Sequence, residues 1–176
     1  MKRTLKIWMG ILGIILLDQI AKGILLFLIT GSAFVYGPAW TVVPVPYLMR
    51  HVTNFFNIVF TWNPGTAFSM FRTLGDGAPM IMIIATGVII ALILYYLFAR
   101  SRSYERAPLV LIIGGALGNL IDRIRFGAVI DFLDFHVGAV HWPAFNIADC
   151  FITIGVCLYI LNWWLARRKC LNNFKG

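Results

Sequence analysis

Unbroken apolar runs and the polar interruptions between them divide this chain into four long apolar runs and two mixed stretches. The first run follows a basic start, MKRTLK, as a signal peptide would. It continues through Asp18-Gln19-Ile20-Ala21-Lys22, however, and covers 8–29, enough residues to cross a bilayer as a helix. We read it as an uncleaved first membrane helix. Further runs cover 79–99, 107–124 and 147–165, each close to one bilayer crossing. Between the first and second runs, Gly31, Gly37, Pro38, Pro44 and Pro46 break up any helix. Within that stretch His51 to Trp62 is rich in β-branched and aromatic residues, as short strands are. The second mixed stretch, Arg125 to Asn146, holds AVIDFLDFH, a short alternating segment expected to be extended. The predicted fold is membrane α-helical, a four-transmembrane-helix bundle with a small extracytoplasmic β-rich cap. It forms one integral membrane domain over 1–176.

Composition agrees with this division. Hydrophobic residues make up 60% of the chain and charged ones 12%, against about 45–50% and 25% in soluble domains. The net charge of +8 alone could suggest a nucleic-acid partner. Its placement argues otherwise. Lys2, Arg3 and Lys6 lie in the N-tail, Arg100, Arg102 and Arg106 in one short loop, and Arg167, Arg168, Lys169 and Lys175 in the C-tail. Basic residues gathered beside apolar runs mark cytoplasmic segments, whereas a nucleic-acid footprint lines one face. Both termini and the 100–106 loop are therefore expected in the cytoplasm, the mixed stretches on the other side, and no nucleic acid as partner. The three cysteines give no disulfide framework, since Cys150 and Cys157, seven apart, share one helix face. His136 and His141 match no standard metal-ligand spacing, so neither metal nor cofactor is expected.

Candidate chemistry rests on scarce carboxylates. Of seven acidic residues, four (Asp122, Asp131, Asp134 and Asp149) fall between Gly114 and Cys150. Charges at the edge of hydrocarbon are costly and usually serve a site or a partner. Asp18 and Lys22 stand at i,i+4 with the acid first, the favourable order for a pair on one helix face. They are either a structural ion pair fixing helix packing or part of a substrate site. Asn119, Asp122 and Arg123 share one side of the third helix, where Gly114, Gly115 and Gly118 allow close helix approach. Asp131 and Asp134, three apart in an extended segment, should face opposite ways and so should not react together. Asn146-Ile147-Ala148-Asp149 reads as a helix start, with Asn146 as N-cap. Two aspartates brought together would share a proton and could hydrolyse a peptide bond, one as base and one as acid. An 18-residue separation does not by itself establish that Asp131 and Asp149 meet.

The motifs DQIAK, NPGTAF, GGALGNLIDR, GAVIDFLDF and FNIAD occur in this order over nearly the whole chain. In this they resemble lipoprotein signal peptidase, also called signal peptidase II. The resemblance implies a bacterial inner-membrane aspartyl endopeptidase that works without a metal. Such an enzyme removes the signal peptide of a prolipoprotein just before a diacylglyceryl-modified cysteine. By motif, the implied catalytic pair is Asp131 and Asp149. Asp18, Lys22, Asn63, Gly65, Asn119, Asp122, Arg123 and Asn146 match positions that line or support the site. Ala21 and Cys150 depart from the family pattern, where Ser or Thr and Ser respectively are frequent. Neither departure removes a carboxylate. The implied partners are lipid-modified prolipoproteins and membrane lipids, met by a monomer with its site at the extracytoplasmic face. A small transporter or proton relay using Asp18, Lys22 and Asp122 is the main alternative, but the second run holds almost no polar residues. A non-catalytic membrane assembly factor is a third reading.

Overall fold

A computed structural model describes residues 2–30, 48–65 and 78–173. The mixed stretches 31–47 and 66–77, including Thr66, Ala67 and Phe68 of the NPGTAF motif, lie outside the described residues. In chain order the elements are helix α1 (Lys2–Thr30), strands β1 (Leu48–Thr53) and β2 (Phe56–Asn63), and helix α2 (Ala78–Ala99). Then come α3 (Arg106–Phe126), β3 (Val129–Val137), β4 (Val140–His141) and α4 (Ile147–Asn173). All four helices are long and apolar enough to cross a membrane. Several run past the apolar cores read from the sequence, because polar residues continue a helix into the headgroup zone at little cost.

The bundle is built around α3, which packs against each of the other three helices. Close approach is what its glycines supply. A Cβ at Gly115 would run into the backbone carbonyl of Ala148 on α4, and one at Gly118 would lie 2.8 Å from Asp18 Oδ2 on α1. Small residues at such crossings let backbones touch where lipid provides no hydrophobic drive for association. The burial pattern is that of a membrane protein. Leu12, Leu16 and Ile24 of α1, Ile84 and Leu92 of α2, and Ile154 and Ile160 of α4 face outward, while Asp18, Lys22, Asn119 and Asp122 are buried.

The strands form one antiparallel sheet in the order β1-β2-β3-β4. The stretch His51 to Trp62 is thus two strands, joined by a turn at Asn54-Phe55. A second apolar core of Leu26, Phe60, Phe126, Ile130 and Phe132 seats the sheet on the ends of α1 and α3. The Trp62 ring meets Phe60 edge-on at 5.1 Å and lies 5.6 Å from Phe126. Pairing of β2 with β3 slips between Ile58 and Thr61, and such irregularities bend a strand and increase its twist. Contrary to simple alternation, Asp131 and Asp134 border the same cavity.

Candidate active site

The site is assembled at the start of α4. Asn146 is its N-cap: Asn146 Oδ1 accepts the Asp149 backbone N–H at 3.0 Å, and Asp149 Oδ2 accepts the Asn146 backbone N–H at 3.2 Å. This reciprocal arrangement satisfies two donors that a helix start leaves free. The same Asn146 donates its Nδ2 to Asp131 Oδ1 at 2.7 Å. One asparagine therefore bonds to both carboxylates. Asn119 of α3 donates to Asp149 Oδ1 at 2.7 Å, and its own oxygen accepts from Asn146 Nδ2 at 3.1 Å.

Asp131 is held from the sheet side as well. Asn63 Nδ2 donates to Asp131 Oδ2 at 2.9 Å, and Asn63 Oδ1 accepts the Gly65 N–H at 2.9 Å. Gly65 adopts φ 86°, a left-handed conformation that glycine takes without a Cβ penalty. The NPG turn thus sets the asparagine that grips the carboxylate. Asp131 is only 2% exposed. Burial is the main reason that its pKa is pushed up to about 6. The Asn63 and Asn146 hydrogen bonds and the Lys22 charge oppose the rise, and the nearby Asp149 charge adds to it.

Behind the pair lies a buried ionic knot. Lys22 Nζ lies 2.8 Å from Asp18 Oδ2 and 2.7 Å from Asp122 Oδ2, and donates to Asn119 Oδ1 at 3.3 Å. Asp18 Oδ1 accepts the Ala148 N–H at 2.9 Å, placing a negative charge at the positive end of α4. Asp122 Oδ2 accepts the Ile130 N–H at 3.3 Å, linking α3 to β3. Through these bonds Asp18, Lys22 and Asp122 join α1, α3 and α4. The knot reaches the carboxylate pair through Asn119. Arg123 donates to the Asn119 carbonyl at 3.5 Å and lies within electrostatic reach of Asp149, Asp131 and Asp122. Its Nε is buried without a hydrogen-bond partner among the described residues.

Two cavities open at the pair. One, about 460 Å³, is bordered by Trp62, Asn63, Asp131, Asp134, His141 and Trp142. The other, about 400 Å³, is bordered by Trp142, Phe145, Asp149, Cys150, Thr153 and Ile154 and is mostly apolar. Trp142 stands between them. Asp134 shares no hydrogen bond with Asp131 or Asp149: it accepts from Asn57 Nδ2 at 2.8 Å and bonds His141 Nδ1 at 2.9 Å. Burial alone would raise its pKa, but those bonds outweigh it and hold the carboxyl below the usual carboxylate range.

Some contributors escaped the sequence reading. Gln19 donates to Asp122 Oδ1 at 2.9 Å and to the Gly118 carbonyl at 3.3 Å. Its position beside Asp18 inside an apolar run was the available signal. Asn57, an amide in a strand otherwise rich in apolar residues, was another.

Four membrane-capable helices, with a buried Asp131 and a half-buried Asp149 bonded to one asparagine between two cavities, fit an aspartic peptidase of the membrane. Residues 10–165 match the family model of signal peptidase (SPase) II, and the chain belongs to that family. It is 42% identical over 158 residues to the lipoprotein signal peptidase of Paraburkholderia phytofirmans, covering 88% of this chain and 83% of that one. Against the lipoprotein signal peptidase of Burkholderia thailandensis identity is 44% over 157 residues, covering 87% and 84%. Among solved structures, a bacterial membrane enzyme determined by the in meso method at 2.3 Å superposes with a TM-score of 0.67 at 25% identity, covering 90% of this chain and 87% of that one. A second, at 1.9 Å, gives 0.66 at 26% identity, covering 89% and 90%. The family is one of aspartic proteases that cleave signal peptides from prolipoproteins, and the transporter alternative finds no support.

Proposed function

We propose that Asp131 and Asp149 are the catalytic pair of a prolipoprotein signal peptidase acting just before a diacylglyceryl-modified cysteine. The observation that carries this is the single Asn146 that hydrogen-bonds both carboxylates where two cavities meet. The ionised carboxylate takes a proton from water as its oxygen attacks the scissile carbonyl carbon. The protonated one donates to the amide nitrogen as the C–N bond breaks. A pKa pushed up to about 6 at Asp131 keeps a larger share of that carboxyl protonated near neutral pH than an ordinary aspartate would have.

Asn63, Gly65, Asn119 and Asn146 orient the carboxylates; Asp18, Lys22 and Asp122 lock the helices that carry them; Arg123 supplies compensating charge. The whole chain works as one monomeric domain in the bacterial cytoplasmic membrane. Both termini are cytoplasmic, the site lies at the extracytoplasmic face, and lipids and acyl chains lie against the apolar helix faces. The test is cleavage of a diacylglyceryl-modified precursor by wild type, Asp131→Asn and Asp149→Asn in matched membranes. Each variant is expected to lose at least about 100-fold in rate, the lower end for positioned acid-base groups. Near-normal cutting by both would overturn the assignment.

A further inference from the structure

All three histidines of the chain gather on the sheet, away from the carboxylate pair's own hydrogen bonds. His136 and His141 stack with ring centroids 4.9 Å apart, and His51 lies 6.3 Å from His136. A hydrogen-bonded chain runs across the four strands. His51 Nδ1 meets Asn57 Oδ1 at 2.9 Å, Asn57 Nδ2 donates to Asp134 Oδ2 at 2.8 Å, and His141 Nδ1 meets Asp134 Oδ1 at 2.9 Å. An amide oxygen and a carboxylate can only accept, so both imidazoles must present N–H at Nδ1. The neutral His141 ring therefore has an accepting Nε2.

Exposure separates the two partners. The Asp134 side chain is 5% exposed, whereas that of His141 is 45% exposed at the wall of the cavity that also holds Asp131. A buried carboxylate, itself braced by Asn57, thus holds a half-open ring in one tautomer beside the site. Orientation of this kind is what a second group supplies to a working imidazole.

The two cavities differ in a way that assigns their occupants. The one along α4, bordered by Phe145, Thr153 and Ile154, is mostly apolar and belongs to a membrane-spanning helix. It suits the hydrophobic side of a lipid-anchored substrate. The one over the sheet carries Asn63, Asp134 and His141 and suits a polar, extended polypeptide. We propose that His141, oriented by Asp134, is a positioning residue that accepts a backbone N–H from the segment of substrate following the scissile bond. This rests on the reading of Asp131 as a catalytic residue. Asp134 is three residues along β3 from Asp131, about 10 Å at 3.3 Å per residue, so the grip falls about three substrate residues beyond the cut.

The test uses full-length enzyme in lipid nanodiscs and two diacylglyceryl lipopeptides with the same signal segment. One ends a single residue past the modified cysteine; the other continues for about six, at the strand spacing just used. For the long peptide, His141→Ala should raise KM about three- to ten-fold, the range for one hydrogen bond, with kcat little changed. The short peptide should be cut as wild type cuts it. His141→Gln, whose amide oxygen can accept the same N–H, should recover part of the loss. Equal losses on both peptides, a fall in kcat alone, or no change on either would overturn the role of His141. Continued cutting by Asp131→Asn would instead overturn the catalytic assignment, so the two failures are distinguishable.

Discussion

Lys22 meets two carboxylates with one ammonium group, and all three side chains are almost completely buried. Removing that cation would leave Asp18 and Asp122 facing each other without compensation. Breaking a buried pair from one side costs about 3–5 kcal/mol. Lys22→Met is therefore expected to lose stability on that scale, read as a large drop in thermal midpoint by tryptophan fluorescence in detergent. Asp131 poses the opposite case. Its carboxyl is raised from 3.8 to about 6, chiefly by burial, so the folded protein holds that proton more tightly than the unfolded chain does. The resulting stability is fully present below pH 3.8 and is lost as pH rises through about 6. The difference corresponds to about 3 kcal/mol at most. Asp131→Asn, always neutral, should melt above wild type near pH 8, with the gap closing below about pH 4. A gap that widened in acid would contradict the burial argument.

Among helices, contact distance decides what a glycine is worth. At Gly115 a methyl group would strike the Ala148 carbonyl, part of a rigid helix backbone, so α3 and α4 would have to separate. At Gly13 of α1 no atom lies within 4 Å of an added Cβ. Gly115→Ala should destabilise by about 1–3 kcal/mol, as overpacking does, and should also reduce cleavage by shifting Asp149. Gly13→Ala should be neutral or stabilising by up to about 1 kcal/mol from helix propensity. Paired thermal melts and a cleavage assay check both. Equal effects would mean that crossing distance is not what these positions control.

For the molecule as a whole, sidedness sets the substrate supply. Val137 on the sheet and Ser103 in the basic loop are both exposed and lie toward opposite ends of the bundle. In a background with Cys150, Cys157 and Cys170 replaced by Ser, Val137→Cys should react with a membrane-impermeant maleimide in intact spheroplasts. Ser103→Cys should react only after lysis. The reverse pattern would put the carboxylates on the cytoplasmic side, out of reach of exported precursors. Charge bias supports the first orientation, since Arg100, Arg102 and Arg106 flank Ser103.

Membrane crossing was legible in the chain because run length and polarity are local properties, set by bilayer thickness rather than by neighbours. The start of α4 was legible for the same reason: Asn146 and Asp149 sit three residues apart and cap one another whatever surrounds them. The spread of the Lys22 charge to Asp122, the Asp18 bond to the Ala148 N–H 130 positions away, and the meeting of Asp131 with Asn146 depended on how helices cross and where the sheet rests. Local alternation also misplaced Asp134, which shares a cavity with Asp131. Sequence by itself determined which residues must avoid lipid and which can begin a helix. Tertiary structure alone decided which buried polar groups would compensate one another, because desolvated charges are stabilised only by partners that the packing of distant segments brings into contact.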